Sequence, residues 1–233
     1  DGAAPSTGAL IQRLEELAKE WGAKGLAMLS QVSKFLSEAE LAAFAVPEGS
    51  TGLFVADEEP VVAKVLGLLR LHLGRELDLI DHEKDVFNWV VDFPLFEQDE
   101  ETKQWTFTHH PFTAPAPGVE SWDESAPGDV RGQHYDLVWN GWELGSGSIR
   151  IHDVEVQQRV FRTMGLSDVE AQSKFGFLLD ALAMGAPPHG GFAMGIERFV
   201  AQLAGEPDIR QIVAFPKVSS GSDPLTGAPT PMP

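Results

Sequence analysis

PHGGFAMGIERF, residues 188–199, is the stretch around which the rest of the chain is organised. A short apolar run lies between glycines, and Ile196 begins a segment with the spacing of an amphipathic helix. A strand that passes through glycine into a helix start brings backbone close to a ligand. Arg198 falls in the first turn of that helix, where the helix dipole favours anions. The stretch predicts a phosphate site, but taken alone it fits a solvated arginine, or one paired with Glu197, equally well.

The composition limits the class of protein. A length of 233 residues with 43% hydrophobic residues corresponds to one large globular domain or two small ones. Cysteine is absent from the sequence, which excludes disulfides and thiolate chemistry. The net charge of −18 argues against a surface that coats nucleic acid, although a few arginines still suffice to bind a nucleotide. No apolar run reaches membrane-spanning length and no signal-peptide pattern is present, so we expect a cytoplasmic protein without a membrane partner.

The pattern of helices and strands expected from the sequence changes near residue 85, which predicts two domains. Residues 1–84 combine short helices and strands in a small α/β module that holds no obvious catalytic constellation. In this module Ser6 is predicted to cap the first helix, and Ser37 with Glu40 forms the sequence pattern of a capping box. Residues 85–233 alternate short strands with helices, which predicts an α+β layout built on antiparallel strands.

Four segments of the second domain carry specific predictions. FNWVVDF (87–93) is aromatic and β-branched and is predicted to be a buried strand. Residues 114–132 are rich in proline, glycine and acidic residues and predict a long mobile loop. The dipeptide at 140–141 is Asn-Gly, the strongest short hairpin signal in the chain. Residues 209–215 are apolar and predict a final strand.

Glu143 and Arg150 are charged residues of the segment that follows the predicted hairpin turn. Their odd separation places them on opposite faces of a regular strand, unless the glycines between them bend or bulge the chain. Glu143 is a candidate to hold a Mg²⁺ ion that bridges nucleotide phosphates. Arg150 is a candidate to grip a carboxylate with its planar fork. From spacing alone, a cross-strand ion pair or a solvated edge is the favoured alternative.

His109 and His110 are candidates for a polar contact to substrate from a loop. Adjacent histidines on an extended chain point apart, so we do not expect them to chelate one metal ion together. The alternative for one of them is structural packing under Pro111. His189 is predicted to make a local hydrogen bond. The chain shows no Ser/His/Asp or Cys/His arrangement, so covalent hydrolysis is poorly supported.

A series of motifs follows one order along the chain: WVVDFP (89–94), HHPFT (109–113), YDLVWNG (135–141), GSIRIH (147–152), KFGF (174–177), GAPPHGG (185–191), GIER (195–198) and AFPK (214–217). This series resembles the C-terminal portion of bacterial-type aspartyl-tRNA synthetases, which are class II enzymes. Residues 1–84, with WGAKGL (21–26) and KFLS (34–37), resemble part of the GAD insertion domain of the same enzymes. The resemblance covers nearly the whole chain.

The resemblance implies an ATP site. The GIER motif is similar to the third class II motif, so Gly195, Ile196, Glu197 and Arg198 are expected at ATP, with Arg198 on the γ-phosphate. Glu143 matches the acid that contacts ATP together with Mg²⁺. Arg198 and Glu143 are therefore the expected catalytic residues.

The resemblance also implies an aspartate site. Arg150 matches the residue that pairs with the side-chain carboxylate of aspartate, and His109 matches a mobile-loop histidine that closes over this substrate. Ser146 stands where the family usually has glycine. The implied reaction forms aspartyl-adenylate from aspartate and ATP, then transfers the aspartyl group to the 3′ end of tRNA. The sequence leaves open whether only the aspartate tRNA or also the asparagine tRNA is charged.

The first and second class II motifs and the anticodon-binding barrel of the family are not found in the chain. The arginine of the second motif holds the α-phosphate, so a chain without it lacks a main electrostatic partner of the reaction. We therefore expect a fragment of a homodimeric synthetase that is inactive by itself. The alternative is a shortened paralogue that acts as a non-catalytic binding or regulatory module.

Overall fold

The computed structural model describes residues 7–47, 50–99, 101–119 and 121–230. The chain divides into two compact units, Asp1–Lys84 and Asp85–Pro233. Ser6, the predicted helix cap, lies outside the described residues. The identity of the first unit as a GAD-like module stays a prediction. Within the described part of the chain, no helix is long and apolar enough to cross a membrane.

The first unit is a set of helices with one small strand pair. Its elements are α1 (Thr7–Glu20), β1 (Ala27–Met28), α2 (Leu29–Val32), α3 (Glu38–Ala43), β2 (Leu53–Phe54) and α4 (Glu59–Glu76). Strands β1 and β2 pair antiparallel. The core holds Leu14 and Ala18 of α1 with Val65 and Leu69 of α4, so the two long helices bury their apolar faces. The predicted capping box at α3 is confirmed, because Ser37 and Glu40 each bond the backbone N–H of the other.

The second unit has the predicted α+β architecture. Its elements are β3 (Phe87–Val90), β4 (Phe96–Gln98), β5 (Trp105–Phe107), β6 (His134–Trp139), β7 (Trp142–Ile149), α5 (Val154–Thr163), α6 (Asp168–Ala183), β8 (Gly190–Met194) and α7 (Ile196–Ala204). Four strands form an antiparallel sheet in the order β3-β6-β7-β8, and β4 with β5 forms a separate hairpin. Helices α5 and α6 pack around the fully buried Phe161.

The β6–β7 hairpin turns at the predicted dipeptide. Asn140 and Gly141 have φ values of 48° and 87°, as a two-residue turn of the primed type requires. Leu137 pairs with Gly145 and Val138 with Glu143, so Leu144 is the extra residue of a β-bulge. The bulge shifts the alternation of β7 by one residue, and Glu143 therefore lies on the same sheet face as Arg150.

Two predictions for the second unit are confirmed only in part and a third is wrong. The strand predicted at 87–93 is present as β3, but it is shorter and its residues are exposed instead of buried, because an edge strand has a neighbour on one side only. The described residues of 114–132 form the predicted long loop, but not a loose one, because bridges pair Pro115 with Gly132 and Pro94 with Arg131, and Val130 is buried. Residues 209–215 contain a 3₁₀ helix at Ile209–Gln211 instead of a strand.

Candidate active site

One face of the sheet carries a pocket of about 570 Å³. Five charged or histidine side chains singled out from the sequence are among its lining residues: His109, His110, Glu143, Arg150 and Arg198. The bulge at Leu144 makes this grouping possible, since a regular strand would turn Glu143 away from Arg150. Of the remaining residues predicted for ATP, Gly195 lines the pocket, whereas Ile196 and Glu197 lie outside its lining.

The glycines of β7 allow strand β8 to lie close to the pocket. A Cβ atom on Gly145 would stand 2.6 Å from the carbonyl oxygen of Ala193. A Cβ on Gly147 would overlap the carbonyl oxygen of Gly191 and the ring of Tyr135. These glycines are therefore required by the tight β7–β8 pairing behind the site.

The predicted strand-to-helix transition is confirmed, with β8 leading through Gly195 into α7. The Gly195 N–H donates to the Leu144 carbonyl at 2.7 Å, so the helix start is tied to the bulge. Arg198 Nη1 donates to the carbonyl oxygen of Glu143 at 2.8 Å and to its Oε1 at 3.1 Å. Arg198 is thus paired with Glu143 and not with Glu197.

The Arg198–Glu143 ion pair is exposed to solvent. The two side chains are 47% and 48% exposed. An ion pair this exposed contributes little to stability, because water and salt screen it. Little free energy therefore holds Arg198 to Glu143, so the guanidinium near the start of α7 can exchange this partner for another anion at small cost.

Arg150 is held by His110, a partner that sequence reasoning did not identify. Arg150 Nη1 donates to the His110 imidazole. Burial, followed by the charges of Arg150 and His109, lowers the pKa of His110 to about 4. His110 is therefore neutral at pH 7 and accepts a hydrogen bond from the guanidinium. The prediction that adjacent histidines point apart is wrong here, because the chain bends at this point and the two ring centroids are 4.7 Å apart.

His109 is contacted on two sides. Its Nε2 lies 2.9 Å from Ser146 Oγ on β7. Its ring stacks on His134 at a centroid distance of 5.5 Å and an angle of 4°. His134 is 4% exposed and stacks in turn on Phe93. Sequence reasoning assigned no role to Ser146 or His134, because their partners lie far away along the chain.

The remaining predicted histidine has a local contact. His189 Nδ1 lies 2.8 Å from the Pro187 carbonyl oxygen, as the prediction of a local hydrogen bond requires. Its side chain is not part of the pocket lining.

The comparisons with known proteins agree with these observations. The sequence profile of the family described as tRNA synthetases class II (D, K and N) matches residues 13–219. The chain belongs to the class II tRNA synthetases. The aspartate–tRNA ligase of Geobacillus kaustophilus is 48% identical over 234 residues, which are 95% of this chain and 40% of that protein. The aspartate–tRNA(Asp/Asn) ligase of Thermobifida fusca is 47% identical and covers 99% of this chain and 42% of that protein.

This class II synthetase chain thus spans about 40% of the length of the curated relatives it matches. The family resemblance stated from the motifs is confirmed. The solved aspartyl-tRNA synthetase of Entamoeba histolytica aligns with 79% of this chain and 30% of that chain, at 21% identity and a TM-score of 0.44. At that score the structural likeness adds no support of its own.

The oxygen ligands that this pocket offers are compatible with a Mg²⁺ ion shared with a bound ligand, but not with a site in which protein side chains alone surround the metal. Among the residues that the structure describes, no group of three or more His, Asp or Glu side chains is placed to hold an ion. Glu143 offers one hard carboxylate to the pocket. Mg²⁺ is commonly held by one or two carboxylates, with substrate phosphates and water completing its shell.

Proposed function

We propose that this chain supplies the substrate pocket of an aspartate–tRNA ligase. Such an enzyme joins aspartate and ATP into aspartyl-adenylate and then transfers the aspartyl group to tRNA. The observation that carries the proposal is the presence of two guanidinium groups, those of Arg150 and Arg198, in one pocket. Two separate anion sites suit a carboxylate substrate beside a polyphosphate. The ligase names of the relatives favour this function over a non-catalytic binding module.

In this proposal Arg150 binds the side-chain carboxylate of aspartate. His110 holds the guanidinium from behind and stays uncharged, so it does not compete for the carboxylate. A planar fork that donates two hydrogen bonds prefers a carboxylate to an amide, because the amide nitrogen is itself a donor. This contact selects aspartate over asparagine, and His109 adds a polar contact from the loop.

Arg198 is proposed to hold the γ-phosphate of ATP, with Gly195 at the start of α7 beside it. Glu143 would hold a Mg²⁺ ion that neutralises phosphate charge when ATP is bound. Ile196 and Glu197 would then contribute to ATP binding only indirectly, by forming the first turn of α7 that carries Arg198.

The chemistry needs positioning rather than a protein nucleophile. An oxygen of the aspartate α-carboxylate attacks the α-phosphorus of ATP, and the bond to the bridging oxygen breaks to release pyrophosphate. Arg150 fixes the amino acid, and Arg198 fixes the triphosphate, so the reacting atoms meet in a prepared geometry. Arg198 also stabilises the negative charge that passes to the leaving pyrophosphate in the transition state.

The partners of the whole protein form part of this proposal. We propose tRNA as the second substrate, a homodimer as the working assembly and the cytoplasm as its location. Relatives named as aspartate–tRNA ligase and relatives named as aspartate–tRNA(Asp/Asn) ligase have nearly the same sequence identity to this chain, 48% and 47%. Charging of the asparagine tRNA in addition to that of aspartate is therefore compatible with the proposal.

Calorimetric titration with a non-hydrolysable aspartyl-adenylate analogue tests the proposal. We expect binding by the wild-type chain and weakening of about a hundredfold or more for Arg150→Ala, because a charged group loses its paired donor. Arg162→Ala is the matched control, since Arg162 pairs with Glu124 outside the pocket. Equal affinity for the aspartyl and asparaginyl analogues, or no effect of Arg150→Ala, would contradict the assignment.

A further inference from the structure

Ser146 holds a particular place in strand β7. A Cβ on its neighbour Gly145 would collide with β8, and one on Gly147 would collide with β8 and with Tyr135 of β6. Ser146 pairs with Asp136 of β6 and Ala193 of β8, and its side chain lies on the pocket face. Its hydroxyl is therefore presented to the pocket from the middle of a tightly paired sheet, which is a rigid support.

The partner of this hydroxyl belongs to a loop. His109 lies outside the helices and strands, and its side chain is exposed. An exposed loop histidine samples several rotamers, and a ligand that fixes one of them loses affinity to that ordering. The 2.9 Å contact between Ser146 Oγ and His109 Nε2 fixes the ring in advance.

His134 fixes the plane of the same ring. It is stacked parallel to His109 on one side and packed on Phe93 on the other. Neither ring nitrogen of His134 has a hydrogen-bond partner among the described residues, so this imidazole is retained as a flat buried surface. The hydrogen bond sets the direction of the His109 nitrogen and the stack sets the ring plane.

We propose that Ser146 and His134 are positioning residues that hold the His109 ring in place to receive the acidic amino-acid substrate. This inference rests on the proposed function of the pocket. A serine hydroxyl suits the task because it donates to the bare nitrogen of a neutral imidazole and accepts from the N–H of a charged one. The contact therefore persists whichever charge His109 carries when an anionic ligand arrives.

The contact itself is tested without any ligand. In nitrogen-15 NMR of the histidine-labelled chain, Ser146→Ala should shift the His109 Nε2 resonance, and Ser146→Thr, which keeps the hydroxyl, should restore it. Ser125→Ala is the control, because Ser125 bonds Asp123 away from the pocket. An unchanged Nε2 resonance in Ser146→Ala would overturn the proposal, whatever the pocket binds.

Binding of the aspartyl-adenylate analogue then tests whether the contact between Ser146 and His109 increases affinity for the substrate. Ser146→Ala should weaken binding about threefold to tenfold, the loss expected for one hydrogen bond. In a His109→Ala background the same change should have no effect, because Ser146 acts through that ring. His134→Phe keeps a flat ring and should bind like the wild type.

The possible outcomes distinguish a failure of the positioning role from a failure of the proposed function of the pocket. Equal losses from Ser146→Ala with and without His109 would overturn the positioning role while leaving the proposed function intact. Loss of affinity in His134→Phe would overturn the part given to ring stacking. A wild-type chain that does not bind the analogue would contradict the proposed function, and with it the role of the contact in substrate binding.

Discussion

Gly145→Ala probes the tight pairing of β7 and β8 that supports the pocket. The added Cβ would lie 2.6 Å from the Ala193 carbonyl oxygen and 2.6 Å from the Phe192 ring. Carbon and oxygen atoms need a separation of about 3.3 Å, so the strands must part by several tenths of an ångström. The Phe192 ring can rotate away, but the carbonyl belongs to the backbone. We expect a loss of about 3 kcal/mol in the free energy of unfolding, from overpacking and weakened pairing.

Gly191→Ala is the matched control on the facing strand. A Cβ at Gly191 meets nothing within 4 Å, so this variant should unfold within about 1 kcal/mol of the wild type. Urea unfolding followed by tryptophan fluorescence measures both variants, since Trp89, Trp139 and Trp142 belong to this sheet. Equal midpoints for the two variants, or a greater loss in Gly191→Ala, would refute the reasoning.

Three further predictions concern single side chains. Because the pKa of His110 is lowered from 6.5 to about 4 in the folded chain, the unfolded chain takes up this proton first as the pH falls. As the pH falls from 6.5 to 4, His110 therefore lowers the free energy of unfolding by about 1–2 kcal/mol, after allowance for its partial exposure. His110→Gln should remove this part of the loss, as measured by urea unfolding at several pH values across this range. Asp153→Ala should cost about 1 kcal/mol and speed hydrogen exchange at the start of α5, because the Asp153 carboxylate accepts from the N–H groups of Glu155 and Val156. Phe161→Ala should cost about 3–5 kcal/mol in thermal unfolding, since this ring is fully buried.

Each of these has an outcome that would count against it. A pH dependence that is identical in wild type and His110→Gln would show that His110 is not held neutral by its surroundings. Unchanged exchange rates in Asp153→Ala would mean that the cap is replaceable by water. A loss below 1 kcal/mol in Phe161→Ala would show that the α5–α6 core closes over the gap.

Several features of the second unit were predictable because they depend on the residue types at neighbouring positions in the sequence. The Asn140-Gly141 turn and the glycine-to-helix transition at Gly195 depend on residues adjacent in sequence. The burial predicted for the strand at 87–93 failed for a different reason. The composition of a segment shows that a strand is apolar, but burial of the strand depends on whether another element covers it. Trp89 lies in the edge strand of the sheet, and 59% of its surface is exposed.

The candidate site was predictable as a set of residues but not as an arrangement. The motifs indicated Glu143, Arg150, His109 and Arg198, and all four line one pocket. They did not indicate that His110 holds Arg150 or that Ser146 contacts His109. Those contacts join positions about 40 residues apart, and no local pattern encodes which loop meets which strand.

By itself the sequence determined the α+β class and the hairpin turn, because these follow from short-range preferences, and its motifs indicated the candidate residues of the pocket. Only the tertiary structure decided that the bulge at Leu144 turns Glu143 toward Arg150, and that Arg198 pairs with Glu143 across 55 positions. The physical reason is that strand register is set by the summed pairing of all neighbouring strands. A shift of one residue reverses every face, and such a shift leaves no trace in the local sequence.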